Sequence, residues 1–189
     1  MGEPTLALGC QDDVWWSRLA QPSMSAWTEA KPLRLVEQEA PTADTDRKAL
    51  ACDGLLLPQT DTMLWRLVTG RPVSQVTCDS LAWVADRLAH DGKKALVLIW
   101  DTASWHRSPI VRPWLKAHTQ RVKREGGGRL LVCPLPSKRP WLNPIEPRGV
   151  HGKRAILEPT HLLTAQELTE RVCNYYGCEN LTPMTQQVR

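Results

Sequence analysis

The sequence predicts an α/β fold, a mixed sheet flanked by helices. Three observations predict it. Short apolar segments come first, and then helix-like and strand-like segments alternate, an order that builds a sheet with helices packed on it. The segment Ala95–Trp100, Ala-Leu-Val-Leu-Ile-Trp, is a continuous apolar run too short for a helix, so it reads as a strand buried on both faces at the centre of the sheet. The length of 189 residues, 42% hydrophobic and 23% charged, suits one packed domain.

The elements follow in order. Residues 5–11 form a modest apolar run that ends in Asp12-Asp13, a first strand. Residues 33–36 read as a second strand, and residues 48–57 as a third, interrupted at Asp53-Gly54. Between them residues 37–46, polar and containing Pro41, read as a loop. Leu81, Val84, Ala85 and Leu88 recur at helical spacing, with Thr77 or Asp79 to cap the start and Gly92 beyond the end. After the strand at residues 95–100, Ser108-Pro109 reads as an N-cap followed by proline at the first helical position. Ile110, Val111, Trp114, Leu115 and His118 then share a helical face, and Pro113 predicts a kink or a late start. Gly126-Gly127-Gly128 stops that helix, and residues 129–133 form another short strand. Residues 134–147 are proline-rich and predict a stiff, extended loop. Thr164-Ala165-Gln166-Glu167 is a capping-box signature, opening a helix through Leu168, Val172 and Tyr175 to Gly177. One domain over residues 1–178 is therefore expected, followed by a polar, frayed tail over residues 179–189.

Composition narrows the function classes. No apolar stretch reaches the about 18 residues of a membrane span, and the Met1-Gly2-Glu3-Pro4 start carries no secretory signal pattern. The six cysteines are scattered without a Cys-x-x-Cys pair and read as reduced, small, buried hydrophobes. A zinc site from Cys133 and His151 matches no common spacing. The chain has 9 Trp and no Phe, which predicts several half-buried indoles near a surface or groove.

Charge is placed unevenly. The net charge is only +4, yet residues 107–154 carry 12 Lys or Arg against Glu125 and Glu146 alone. That segment is +10, which leaves −6 for the remainder. Its clusters are Arg121/Lys123/Arg124, Lys138/Arg139 and Lys153/Arg154, with Trp105, Trp114 and Trp141 among them. A basic face on an otherwise acidic chain is the footprint of a polyanion partner. A merely solvated helix or loop face is the competing reading. Lys138, Arg139, Lys153 and Arg154 are the candidate DNA contacts.

Asp101 stands directly after the buried strand, where open α/β sheets place function. For a lone aspartate there, a cap or turn role is the commoner explanation. Asp101 has company. Asp12 closes the first strand, and Glu146 follows Asp101 after 44 intervening residues, inside Trp141-Leu142-Asn143-Pro144-Ile145-Glu146-Pro147. Three carboxylates on separate elements beside a basic face suit divalent metal, because Mg²⁺ takes oxygen ligands together with phosphate oxygens. Two such ions can clamp the attacking and leaving oxygens of an in-line displacement. About −3 from the carboxylates against +4 from two ions leaves attraction for a phosphodiester. The reaction class is phosphoryl transfer on a nucleic-acid backbone. Asp13 replaces Asp12 as ligand if the register shifts by one. The two point to opposite faces, so at most one joins the set.

These residues resemble the catalytic domain of the mariner-like DDE transposases, in the bacterial insertion-sequence branch. Residues 100–106 match a strand followed by Asp-Asn-x-x-x-His, and residues 135–146 match Leu-Pro-x-x-x-Pro-x-Leu-Asn-Pro-Ile-Glu. Gln11 to Trp15 matches an early Gln-Asp-Glu-x-Trp block, with Asp13 where Glu is usual. Val150-His151-Gly152-Lys153-Arg154 and Cys173-Asn174-Tyr175-Tyr176-Gly177-Cys178 look like one subgroup.

The resemblance implies a ribonuclease-H-like fold and a metal-binding catalytic triad of Asp12, Asp101 and Glu146. It implies Mg²⁺ as cofactor, two ions, with Mn²⁺ able to substitute. The implied activity is DNA cleavage and strand transfer at transposon ends, an endonuclease and strand transferase acting in DNA recombination and integration. The implied partners are transposon-end and target DNA, on which the chain acts as a homodimer, in the bacterial cytoplasm at the nucleoid. Thr102, His106 and Asn143 would support the triad from behind. Thr102 stands where Asn is common, and Pro147-Arg148-Gly149 where Pro-Lys-Trp is usual. Full-length relatives carry an N-terminal helix-turn-helix region that is expected to be absent here, supplied by a separate polypeptide or lost. The alternative function is a truncated or decayed remnant that binds DNA without catalysis, and a weaker one is a host nuclease of the same fold.

Overall fold

In a computed structural model of the chain, the described residues are 5–19, 25–26, 33–34, 40–70, 73–101, 103, 106–137, 139–156, 161–179 and 181–185. The sheet is organised by β1 (Leu6–Ser17), its longest strand. β1 runs past Asp12-Asp13 rather than ending there, because Val14 and Trp16 beyond them are buried on one face. A separate pair of two-residue strands follows, β2 (Ser25–Ala26) and β3 (Leu33–Arg34), the second inside the predicted strand at residues 33–36.

β4 (Ala49–Leu57) lies antiparallel to β1 and is not interrupted at Asp53-Gly54. The glycine is there for room. A Cβ at Gly54 would stand 2.4 Å from the Trp65 ring, which crosses the strand at that point. Trp65 belongs to β5 (Thr62–Thr69), a strand that the sequence does not reveal. Leu64, Trp65, Leu67 and Val68 are all buried, so β5 lacks the alternation that marks a half-exposed strand.

α1 (Ser74–His90) starts earlier than predicted, and neither Thr77 nor Asp79 caps it. Thr77 is buried within the first turns and Asp79 accepts from Gln75, because the apolar face extends back to Val76. Gly92 does follow its end, with φ +76°. β6 (Ala95–Trp100) lies between β1 and β7, parallel to both. Only one of its faces is fully buried, through Leu96, Leu98 and Trp100, and the other is half-buried. α2 (Val111–Glu125) follows Ser108, whose Oγ accepts from the Ile110 and Val111 amides. Ile110 and not Ser108 is the N-cap, so the helix starts after Pro109, the later of the two outcomes expected of Pro113. Pro113 then falls in the first turn, where an amide has no partner inside the helix and no kink is needed.

β7 (Arg129–Pro134) closes one edge of the sheet. Cys133 on this edge strand is exposed, contrary to the expectation of burial, whereas Cys10, Cys52, Cys78 and Cys173 are buried. A single 3₁₀ turn (Pro140–Leu142) interrupts the proline-rich loop and leads to α3 (Glu146–Ile156). α4 (Ala165–Tyr176) has the predicted Thr164/Glu167 capping box and ends at Gly177 in the left-handed region. Beyond it, β8 (Met184–Thr185) pairs parallel with β5 and buries Met184, so the described part of the tail docks on the sheet instead of fraying.

The six-stranded order is β7-β6-β1-β4-β5-β8. One face carries the larger core, in which Ala7, Leu55, Leu98 and Trp100 pack with α1 residues Leu81, Val84 and Leu88. On the other face Val14, Trp16, Cys52 and Trp65 meet Ile156, Leu168 and Val172 of α3 and α4. Among the described residues, no helix is long and apolar enough to cross a membrane.

Candidate active site

Strand alternation assigns Asp12 and Asp13 to opposite faces. Asp12 shares its face with Cys10 and Val14, the side covered by α3 and α4. β6 pairs with β1 in parallel from Leu6↔Ala95 to Cys10↔Ile99. The same offset carried two residues further sets Asp101 level with Asp12. Asp101 follows the strand that carries Ile99, which packs with Cys10, and its charge acts on Asp12.

Glu146 is the first residue of α3, where an acidic side chain suits the exposed amides of the helix start. The chain is pinned immediately before it. Asn143, 1% exposed, donates from Nδ2 to the Gln11 carbonyl at 2.8 Å, one residue from Asp12. Ile145, also 1% exposed, packs on Cys10 and Leu56. Small residues bring the body of α3 close to the sheet. A Cβ at Gly152 would lie 2.9 Å from the Trp16 ring and closer still to the Tyr176 hydroxyl. That hydroxyl donates to the Arg148 carbonyl at 2.8 Å and so joins α4 to α3.

The electrostatics agree with the register. Burial pushes the Asp12 carboxyl up to about 7, and the charges of Glu146, Asp101 and Asp13 add to the rise. The Asp13 amide, donating to Asp12 Oδ1 at 2.9 Å, opposes it. Part of the burial comes from across the ladder, since Asp12 faces Gly54 and the Trp65 ring lies over that glycine. Asp101 behaves differently. Burial works to raise it, but the His106 hydrogen bond, the Ala103 amide and the charge of His106 outweigh burial and hold it below the ordinary aspartate value.

His106, a candidate support for the triad, is in contact with Asp101. It is 4% exposed, its Nδ1 lies 2.6 Å from Asp101 Oδ1, and its ring sits 4.1 Å from Trp100. Its Nε2 lies 3.9 Å from Asp13 Oδ2, so one imidazole connects the two faces of β1. Asn143, the other candidate support, donates to the Gln11 carbonyl. Thr102 and Lys138 lie outside the described residues, as does Trp105. Arg139 is exposed beside Trp141, and Lys153 and Arg154 are exposed in the last turn of α3. Cys133 and His151 are both exposed on separate elements.

Sequence reasoning missed a second acidic pair. Asp13 faces Asp53 across the β1–β4 ladder, and Asp53 is 3% exposed. Gln11 Nε2 donates to Asp53 Oδ2 at 2.8 Å. Burial and the charge of Asp13 push the Asp53 carboxyl well up, against hydrogen bonds from Ser80 and Gln11. The available signal was an Asp-Gly inside an apolar strand, which reads more readily as a turn.

The donor set at Asp12 can be tested against a divalent cation. The charged side chains acting on Asp12 are Glu146, Asp101 and Asp13, all negative. An oxygen-only acidic set, offset by His106 at Asp101, is the donor chemistry that Mg²⁺ and Mn²⁺ select. Among the described residues, no three acidic, His or Cys side chains stand close enough to form a ready ligand group. The fit is therefore one of donor type and placement rather than of a closed cage.

No protein-family profile matches the chain, and no curated protein matches it in sequence. Solved structures do match. They include the Mos1 transposase paired-end complex with the left transposon end, at TM-score 0.63 and 11% identity. They also include the Mos1 strand transfer complex at 0.61 and 11%, and the Mos1 mariner paired-end complex with Mn at 0.63 and 10%. Each alignment covers 92% of this chain and 48 to 49% of the other, so the chain spans about half the length of these proteins. The α/β architecture described above is accordingly the ribonuclease-H-like fold that these transposase structures contain.

Proposed function

We propose that the chain is a DDE transposase catalytic domain of the mariner-like superfamily, insertion-sequence branch, which cleaves DNA at transposon ends and joins it to a target. The observation that carries this reading is that the charges of Glu146 and Asp101, each from a separate element, act on Asp12 within a ribonuclease-H-like sheet. The matched Mos1 structures, a paired-end complex with a transposon end and a strand transfer complex, support DNA as the substrate class. Mn in one of the matched complexes supports a divalent cofactor.

The residues divide the work. Asp12, Asp101 and Glu146 would hold Mg²⁺, or Mn²⁺ in its place, and the bound cations supply Lewis-acid stabilisation of the attacking and leaving oxygens. His106 keeps Asp101 ionised and fixes its orientation. Asn143 ties the start of α3 to β1, which sets Glu146 relative to Asp12. Exposed Arg139, Lys153 and Arg154, with Lys138, neutralise backbone phosphates. The attacking oxygen comes from water in cleavage and from a DNA 3′-hydroxyl in joining. A homodimer on paired ends, end recognition by a helix-turn-helix region and action at the bacterial nucleoid complete the reading.

The test is nicking of plasmid DNA carrying the flanking inverted repeats, with Mg²⁺ or Mn²⁺. Nicking that Asp101→Ala and Glu146→Gln both abolish is the expected result. Activity that survives Asp101→Ala overturns the assignment. A second reading, a DNA-binding remnant without catalysis, is favoured by the lack of a closed three-ligand group among the described residues. It predicts steeply salt-sensitive DNA binding and no cation-dependent nicking.

A further inference from the structure

The 3₁₀ turn (Pro140–Leu142) before Glu146 presents Trp141 to solvent, with 62% of its surface exposed. Leu142 beside it is 50% exposed. The next residues turn the opposite way, with Asn143 and Ile145 each 1% exposed. The turn is thus anchored to β1 at one end while its indole stands free of the core. The Leu142 amide donates to the Arg139 carbonyl at 3.1 Å, which closes the turn and brings the two side chains together. The Arg139 guanidinium lies 5.1 Å from the centre of the Trp141 ring. Trp16, Trp65 and Trp100, by contrast, are buried in the two cores.

We propose that Trp141, backed by Arg139, stacks on an unpaired nucleobase of the DNA strand that lies beside the carboxylate site. The inference rests on the reading of the chain as DNA-acting, and it adds the state of the DNA at that place. An exposed indole on a fixed turn offers an apolar π-face at little entropic cost. The guanidinium at the ring adds the positive charge that a neighbouring phosphate requires. A base within a duplex already has both faces stacked, so the occupant must be unpaired. Trp141 is five residues before Glu146, on the turn that Asn143 ties next to Asp12. The unpaired base is therefore close to the strand being cleaved, and the DNA is opened there rather than held as an intact helix.

The experiment is fluorescence anisotropy in EDTA with a single-stranded oligothymidylate of about 20 nucleotides, compared with a strand of equal length whose central residues are abasic. Wild type is expected to prefer the thymidylate strand. Trp141→Ala should lose about tenfold on that strand, the scale of one base–aromatic stack, and little on the abasic one. Trp141→Phe should recover most of the loss. Equal losses on both strands, or no loss on either, overturn the proposal, as does a loss that follows a change in oligomeric mass. Wild type that binds neither strand nor duplex removes the DNA reading as well. Wild type that binds while Trp141→Ala binds equally removes the stacking alone.

Discussion

Two aspartates that follow one another in β1 occupy opposite environments. Asp12 faces α3 and shares its field with Glu146 and Asp101. Asp13 faces the core beneath α1, opposite Asp53, on the side where Gln11, Ser80 and His106 supply polar contacts. Both sites crowd negative charge into low-dielectric surroundings. They differ in what can relieve it. On the Asp13 face a proton can be shared between two carboxyls, with hydrogen bonds already in place. On the Asp12 face the acids arrive from three elements around the end of a strand, where a cation and a phosphate can enter. On the proposed reading, carboxylate density alone does not mark a metal site, and the face of the sheet does.

The largest expected effect breaks this comparison directly. Asp12→Asn should reduce cation-dependent nicking by on the order of 10³-fold or more, the scale seen when one member of a unit that acts as a whole is removed. Asp13→Asn keeps the shape of β1 and removes one of two facing acids, so it should retain most of the activity. Parallel nicking assays on the two variants decide the matter. If Asp13→Asn is the inactive one, the face assignment is reversed.

A smaller effect sharpens the link between the two halves of the site. Asn143→Ala leaves the Gln11 carbonyl without its side-chain donor in a buried position, which costs about 1–3 kcal/mol. Denaturant unfolding should show that loss. Nicking at saturating DNA should fall as well, because Glu146 is then less firmly set against Asp12. A variant that loses stability yet nicks at the wild-type rate would confine Asn143 to the fold.

Much of this arrangement was legible in the sequence, for identifiable reasons. The uninterrupted apolar run of β6 gave away the strand before Asp101, and the Thr164/Glu167 capping box gave away α4. Asn143 could be singled out as a candidate support, since Pro144 after it restricts its backbone. β5 was not readable, since Trp65 and its neighbours are buried on both faces and show no period. The continuity of β4 was hidden because Asp53-Gly54 imitates a turn, whereas the glycine makes room for the Trp65 ring and the aspartate pairs with Gln11. Pro113 was readable in part. It signalled a late start or a kink, and the helix starts late, after Pro109, which leaves Pro113 in the first turn. At Asp53-Gly54 a local signal was overruled by a contact from a distant element.

The smallest expected effect is a dependence of stability on pH, and it separates the two faces once more. Asp12 and Asp53 are both raised above the ordinary aspartate value, so the fold favours their neutral forms. A group raised in this way stabilises fully below its unfolded value and loses that contribution as pH rises through the folded one. For Asp12 the window runs from about 4 in the unfolded chain to about 7 in the folded one. Asp101 is lowered, so its contribution is lost in the other direction, as pH falls below the ordinary range. The melting temperature should therefore decline as pH is raised from about 5 to about 8, and both Asp12→Asn and Asp53→Asn should flatten part of that decline. A divalent cation distinguishes them. Mg²⁺ or Mn²⁺ binds the charged form, so it should raise the melting temperature more at the upper end of that range than at the lower. The stabilisation is about 2.7 kcal/mol at about a hundredfold excess over Kd. Asp53→Asn should keep that cation effect, because Asp53 lies on the enclosed face. Asp12→Asn should lose it. Equal cation stabilisation in both variants would place the ion elsewhere and leave the Asp12 face as a strained but unoccupied cluster of acids.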